Sequence, residues 1–261
     1  MMMDADIVAC SPGTVYNVLR QADVLRPRAK ESRKGKGFVQ PIKAHEHWHI
    51  DSAYINIAGT FVFIATIVDG FSRLVVARDI APKMGEKEIE ILLQQGRERF
   101  PHARPRIISD NGPQFIANDF KQLVKISGMT HVRTSPFYPQ SNGKIERCHR
   151  TIKSQCIRPS TPLTIDDTKR AVGSFVEHYN TERLHSAIGY VTPLDMLEGR
   201  QQAIHDERDR KIEEARQTRA ERRRKEKSAM PRKASRQPPD SDVSSSVSQE
   251  DRALLGSNPS A

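Results

Sequence analysis

The sequence predicts an α/β fold in which helices flank a mixed five-stranded sheet. Residues 61–69, F-V-F-I-A-T-I-V-D, form a continuous β-branched and aromatic run, which is typical of a strand buried on both faces. Asp69-Gly70 is a turn signal between this run and the next apolar run, so an antiparallel pair is expected there. The predicted elements follow the order β-β-β-α-β-α-β-α, which indicates a mixed sheet covered by helices.

The remaining elements follow from the periodicity of the apolar residues. The first strand lies within H-W-H-I-D-S-A-Y-I and is expected to end near Asp51. The run at 73–80 completes an antiparallel meander, and two short strands are predicted at 106–110 and 131–135. Helical periodicity predicts helices over residues 84–99, 118–128, 144–155 and 164–182.

Changes in composition divide the chain into five segments. Residues 1–25 contain a helix start at Ser-Pro and predict a partial helix-turn-helix whose first helix is missing. Residues 26–43 are a basic linker, and residues 44–200 form the α/β core. Residues 201–227 are strongly charged and predict a solvated helix or a flexible arm. Residues 228–261 are rich in Ser, Pro and Gln and are expected to be disordered.

The charge of the chain favours a polyanionic partner. The net charge is +10, and residues 1–43 are the densest in positive charge, with eight Lys and Arg against four Asp and Glu. Basic side chains that displace counterions from nucleic acid gain favourable entropy, although an ordinary basic surface is the alternative. No run of eighteen apolar residues, no signal peptide pattern and no paired spacing of the three cysteines is present. A cytoplasmic, nucleoid-associated protein is therefore expected.

Three carboxylates, Asp51, Asp110 and Glu146, are candidate catalytic residues. Asp51 and Asp110 are each expected at the end of an apolar strand, and Glu146 is expected on the first turn of a helix. The loop before that helix, residues 136–143, is rich in Pro, Gly and Asn. Converging carboxylates repel one another unless cations lie between them. A pair of Mg²⁺ ions about 3.5–4 Å apart would relieve that repulsion and promote phosphoryl transfer, whereas unrelated acids exposed in loops are the alternative.

The context of these acids carries a resemblance to a known family. Asp110 lies in S-D-N-G-P-Q-F, Glu146 lies in P-Q-S-N-G-K-I-E-R, and thirty-five residues separate the two acids. These motifs, with W-H-I-D at 48–51, V-D-G-F-S-R at 68–73 and Y-N-T-E-R-L-H-S-A-I-G-Y-V-T-P at 179–193, resemble the integrase-core transposases of bacterial insertion sequences. The similarity extends over roughly residues 10–198 and is to the proteins encoded by the second reading frame of such elements.

The resemblance implies an RNase H-like fold and a DDE-type polynucleotidyl transferase. It implies that Asp51, Asp110 and Glu146 are both the catalytic residues and the ligands of two Mg²⁺ or Mn²⁺ ions. The implied reaction cuts DNA at the element's ends and joins the freed 3′-hydroxyl to target DNA. The implied partners are double-stranded DNA, further copies of the chain on that DNA, and a helix-turn-helix protein from the upstream reading frame.

Residues around Glu146 and residues before the predicted core are candidate DNA contacts. On the helix that carries Glu146, the i, i+4, i+7 spacing puts Arg150 and Lys153 on the same face as the acid. Phosphate binding there is favoured over simple neutralisation of Glu146, since a salt-bridged Glu146 would be a poor metal ligand. The other candidates are Lys144 and Arg147, which flank Glu146, Tyr16 and Arg20 on the predicted N-terminal helix, and Arg26 and Arg28 in the basic linker.

Two alternatives remain at the level of sequence. Because the N-terminal helix-turn-helix is incomplete, the chain could be an inactive or truncated relative that binds element ends or modulates an intact transposase. A ribonuclease H-type nuclease shares the implied fold, but the N-terminal helix and the S-D-N-G motif do not support that interpretation. His45, His47 and His49 alternate along the first strand, but one extended strand is a poor scaffold for three zinc ligands.

Overall fold

A five-stranded mixed sheet forms the centre of the molecule. The computed structural model describes residues 3–5, 7–25, 40–134 and 142–229. The strands are β1 (His47–Ile57), β2 (Thr60–Asp69), β3 (Val75–Ala81), β4 (Arg106–Ser109) and β5 (Thr130–Arg133). Their order across the sheet is β3-β2-β1-β4-β5. The strand β2 is antiparallel to both of its neighbours, β1 and β3, whereas β4 is parallel to β1 and β5 is parallel to β4. The mixed sheet predicted from the sequence is therefore confirmed.

Helices lie on both faces of this sheet. The helices are α1 (Pro12–Gln21), α2 (Glu86–Arg99), α3 (Pro113–Ile116), α4 (Asn118–Ile126), α5 (Gly143–Ile152), α6 (Arg158–Ser160), α7 (Ile165–Thr181), α8 (Pro193–Leu197) and α9 (Gln201–Ala229). A π-helical turn, Lys153–Ile157, joins α5 to α6, and a 3₁₀ turn, Ser186–Ile188, precedes α8.

Alternation along the strands separates the core into two layers. Trp48 and Ile50 of β1 belong to the layer that contains Leu92 of α2 and Phe120 of α4. The opposite face of the sheet packs against buried side chains of α5 and α7. Successive residues of a strand point to opposite faces, so Asp51 lies on the α5 side of the sheet. The strand β2 supplies buried residues to both layers, as its continuous apolar sequence predicts.

The turn between β2 and β3 is organised by one buried carboxylate. Asp69 is fully buried, and its Oδ2 accepts hydrogen bonds from the backbone N–H and the hydroxyl of Ser72, both at 2.7 Å. The same oxygen accepts the N–H of Phe71 at 3.2 Å, and Oδ1 accepts the N–H of His45 at 2.9 Å. This network fixes the chain entering β1 and the turn leaving β2 in one arrangement.

The last turn of α7 and the residues directly after it fasten that helix to the sheet edge. The Asn180 side chain accepts the N–H of Val75 at 2.9 Å and donates to its carbonyl at 3.1 Å, which covers part of the exposed edge of β3. Tyr179 is buried beside it, and the Arg183 guanidinium lies 5.9 Å from the Tyr179 ring. Arg183 also donates to the Gln155 side chain at 2.6 Å, which ties this segment to the π-helical turn.

The N-terminal prediction of a partial helix-turn-helix is not confirmed. Residues 7–25 contain the single helix α1, capped by Ser11, and none of its residues is buried. Its apolar stripe of Val15, Val18 and Leu19 is 41%, 58% and 38% exposed. A stripe that stays exposed has no second helix packed against it among the described residues. Most of the predicted basic linker, residues 26–39, lies outside the described residues.

The charged segment after the core is a helix rather than an irregular arm. The helix α9 begins at Gln201, and its residues from 217 onward fall in a second compact unit. Of the predicted C-terminal tail, residues 230–261 lie outside the described residues. In the described ranges, no helix has the length and apolar character needed to span a membrane.

Candidate active site

Asp51 lies on the face of β1 that α5 covers, opposite Thr66 of β2. The prediction that its strand ends near this residue is wrong, because β1 continues to Ile57. The strand continues because the residues after Asp51 still pair with β2 in an uninterrupted ladder. Asp51 Oδ1 accepts the N–H of Ser52 at 2.8 Å. The carboxylate is therefore held on a rigid central strand.

Asp110 lies directly after β4, the parallel neighbour of β1. The register pairs His49 with Ile108, and two further residues along each chain bring Asp110 alongside Asp51. Adjacent strands are about 4.8 Å apart, so these two carboxylates start from neighbouring backbones. Asp110 Oδ1 accepts the N–H of Gly112 at 2.9 Å, which holds the side chain at the start of the S-D-N-G turn.

Glu146 lies on the first turn of α5, as the sequence predicts. Most of the loop before it, residues 135–141, lies outside the described residues. Glu146 and Asp51 line one cleft of about 400 Å³ beside α5. The remaining residues that line this cleft are Ala53, His149, Arg150, Lys153, Ser154 and Arg158.

The three acids influence one another electrostatically. Burial, together with the nearby carboxylates of Asp110 and Glu146, raises the pKa of Asp51 to about 7, against the opposing hydrogen bond from the Ser52 N–H. Asp110 acts on Asp51 but does not itself line the cleft. Within the described ranges, no three acidic, histidine or cysteine side chains are close enough to form a complete metal site. The acids are thus neighbours without being arranged as a closed ligand set.

The donor chemistry of this group fits a hard divalent cation. Carboxylate oxygens are the ligands that Mg²⁺ and Mn²⁺ prefer, and Mg²⁺ is commonly held by one or two carboxylates with waters and substrate phosphates completing the shell. A cation beside Asp51 would favour its ionised form and offset the repulsion that raises its pKa. The open side of the cleft leaves space for a substrate.

The predicted DNA contacts on α5 fall into two groups. Arg150 and Lys153 line the cleft with Glu146, as their helical spacing predicts. Arg147 is exposed but does not line the cleft. Lys144 turns inward, its ammonium group donates to the carbonyl of Gly70 at 2.9 Å, and burial lowers its pKa to about 7. Lys144 therefore stabilises the β2–β3 turn in this structure.

Neither the described contacts on α1 nor the three histidines around the start of β1 line the cleft. Tyr16 and Arg20 are exposed on α1, whereas Arg26 and Arg28 lie outside the described residues. His45 precedes β1 and accepts the indole N–H of Trp48 at 3.1 Å, while His47 and His49 are buried in the strand.

His149 and Thr66 contribute to the site although the sequence alone did not single them out. The Thr66 hydroxyl and His149 Nε2 are 2.8 Å apart and buried, and Thr66 is the cross-strand partner of Asp51. This hydrogen bond joins α5 to the sheet one turn after Glu146. The available signal was the i, i+3 spacing of Glu146 and His149, which puts His149 on the same side of the helix.

We expect this buried histidine to make the fold sensitive to acid. Burial, and secondarily Lys153, lowers the pKa of His149 to about 4, below its ordinary value of 6.5. The unfolded chain therefore takes up a proton below about pH 6.5 that the folded chain does not, so stability is present above that pH and falls below it. The loss at pH 5 should be about 2 kcal/mol from this group.

Urea unfolding at pH 7 and pH 5 measures this effect. His149→Gln keeps a hydrogen-bonding group but cannot take up the proton, so its stability should fall less between the two pH values. Equal losses in the two proteins would show that His149 does not carry the acid sensitivity.

Comparison with known proteins assigns this arrangement to a class. Two protein-family profiles, both described as Integrase core domain, match residues 41–139 and 127–193. The fold is that of a chain in the structure of the simian T-cell lymphotropic virus intasome in complex with PP2A regulatory subunit B56 gamma. That match has a TM-score of 0.55 and 16% identity, and it covers 75% of this chain and 70% of the other. Residues 41–193 thus form an RNase H-like integrase core.

Sequence relatives narrow the class to mobile elements. The chain is 26% identical over 153 residues to the transposase for insertion sequence element IS904 of Lactococcus lactis, covering 57% of this chain and 59% of the relative. It is 23% identical over 154 residues to the protein assigned as transposase InsK of element IS150 in Escherichia coli K12, covering 59% of this chain and 54% of the relative. The chain spans little more than half the length of these relatives. It belongs to the integrase-core family, and the relatives that it matches are transposases of insertion sequences.

Proposed function

We propose that this chain is a DDE-type transposase that cuts DNA at the ends of its element and transfers the cut strand into target DNA. The observation that carries the proposal is the adjacency of the three acids. Asp51 lies on β1, Asp110 directly follows the neighbouring parallel strand β4, and Glu146 lines the same cleft as Asp51. Acids in this arrangement are suited to phosphoryl transfer assisted by two divalent cations.

In this proposal the three acids would hold two Mg²⁺ or Mn²⁺ ions. Such ions promote attack on a phosphodiester and stabilise the leaving oxygen. The chain's own residues supply rigidity and positive charge. The hydrogen bond between Thr66 and His149 holds α5 against the sheet, which fixes Glu146 relative to Asp51. Arg150 and Lys153, on the same wall of the cleft, bind and orient the phosphates of the strand to be cut.

Element-end recognition and assembly are further parts of the proposal. The relatives are transposases, so double-stranded DNA is the proposed partner for both the ends and the target. We further propose that more than one copy of this chain acts on that DNA, by analogy with the intasome whose chain shares this fold. We also propose that a separate helix-turn-helix protein takes part in recognising the ends. The observation behind this is that residues 7–25 contain the single helix α1, on which Tyr16 and Arg20 are exposed.

The test is a cleavage and strand-transfer assay with the full chain. Labelled duplexes taken from both sides of the coding sequence are incubated with a supercoiled target plasmid and Mg²⁺ or Mn²⁺. We expect cut ends and joined products that require the divalent ion. An inactive end-binding relative is the alternative that this assay distinguishes. It would bind these duplexes selectively and form neither product.

A further inference from the structure

A π-helical turn that begins at Lys153 directly follows α5, the helix that carries Glu146. In this turn, Lys153–Ile157, the N–H of Arg158 donates to the carbonyl of Lys153, five residues earlier. Pro159 follows at once, and a proline ring in a regular helix clashes with the carbonyl four residues before it. The wider turn before Pro159 accommodates the ring while the helical path continues to Ser160.

The π-helical turn changes the direction in which Arg158 points. In a regular helix each residue rotates the chain by about 100°, so Arg158 would lie about 120° away from Glu146. A π turn absorbs one extra residue without extra rotation, and Arg158 then lies within about 20° of Glu146. The cleft is indeed lined by Glu146, Arg150, Lys153 and Arg158. The turn therefore extends the basic stripe of α5 by one cation.

Arg158 is available for a ligand. Its side chain is exposed and makes no hydrogen bond or ion pair with another described residue. The stripe from Glu146 to Arg158 is about 17 Å long, given about 1.5 Å of rise per residue. A single DNA strand rises about 3.4 Å per nucleotide, so the stripe matches about five nucleotides.

We propose that Arg158, turned into the cleft by the π-helical turn, binds a backbone phosphate of the DNA strand held at the active site, some three to five nucleotides from the position of cleavage. This inference rests on the proposed function and adds a substrate contact to that site. The contact is to phosphate rather than to a base, since the cation continues a stripe of positive charge along the strand.

The experiment measures binding of a fluorescein-labelled 30-base-pair duplex by the full chain over a range of salt concentrations. Arg158→Ala should lower the slope of log affinity against log salt by about one and weaken binding about fivefold at 150 mM salt. Arg158→Lys keeps the charge and should retain the wild-type slope. Lys125→Ala is the matched control, because Lys125 is exposed on α4, which packs against the opposite face of the sheet.

Two results would overturn the inference. One is an Arg158→Ala slope equal to that of the Lys125→Ala control, and the other is an Arg158→Lys variant as weak as Arg158→Ala. Circular dichroism confirms that each variant is folded, which the exposure of both side chains favours. Failure of the proposed function has a different signature, because the unmodified chain would then form neither cut nor joined product with Mg²⁺ or Mn²⁺, whatever its affinity for the duplex.

Discussion

Asp110→Asn is expected to reduce strand cleavage by at least about a thousandfold while duplex affinity stays within about twofold of the unmodified protein. The asparagine keeps the size of the side chain and an oxygen that can accept the Gly112 N–H. It removes the negative charge that stands beside Asp51 and that a divalent cation would need. Few DNA phosphates are expected near this strand end, so binding should survive.

Parallel cleavage and binding measurements on three proteins separate these effects. Asp119→Asn is the matched control, because Asp119 is exposed on the first turn of α4. We expect the control to cleave at the rate of the unmodified protein. Cleavage by Asp110→Asn at that same rate would remove Asp110 from the proposed catalytic group. Loss of DNA binding in step with cleavage would instead assign Asp110 a structural role.

Asp69→Ala is expected to lower the free energy of unfolding by about 4 kcal/mol. The substitution leaves the N–H groups of His45, Phe71 and Ser72 without their acceptor. Each buried donor left without a partner costs about 1–3 kcal/mol, and part of this cost is recovered where water reaches the turn. Asp69→Asn should cause an intermediate loss of stability. Its one remaining oxygen can still accept hydrogen bonds, whereas its NH₂ group faces N–H donors that it cannot accept.

Urea unfolding at pH 7 measures the loss. Asp119→Ala serves as the control for removing a carboxylate, and it should change the free energy of unfolding by no more than about 0.5 kcal/mol. An Asp69→Ala protein as stable as this control would show that the β2–β3 turn does not depend on the buried carboxylate.

Much of the fold could be predicted from the sequence because its signals are local. The β-branched run of β2 and the Asp69-Gly70 turn predict the meander, and the helical periodicity of the apolar residues predicts α2, α4, α5 and α7. The end of β1 was not predictable in this way. An acid in a strand pattern suggests a boundary, whereas the ladder to β2 keeps Asp51 within the strand. The end of β1 is therefore set by its pairing with β2 and not by its own sequence pattern.

The candidate site was predictable only in its acids and its first two cations. Helical spacing predicts that Arg150 and Lys153 share a face with Glu146, and the cleft contains both. The position of Arg158 cannot be predicted in the same way. Regular helical spacing would put it on a different face from Glu146, whereas the π-helical turn puts it on the same face. Lys144 shows the opposite case. Its place beside the motif suggests DNA, but its ammonium group meets the carbonyl of Gly70, a tertiary contact that spacing does not reveal.

The central claim is that Asp51, Asp110 and Glu146 together hold divalent cations. Anomalous diffraction from crystals of the full chain grown with Mn²⁺ and a DNA duplex tests it most directly. The account predicts anomalous peaks about 2.2 Å from carboxylate oxygens of Asp51, one shared with Asp110 and one with Glu146. Mn²⁺ bound elsewhere, with these three acids contacting only protein and water, would contradict it.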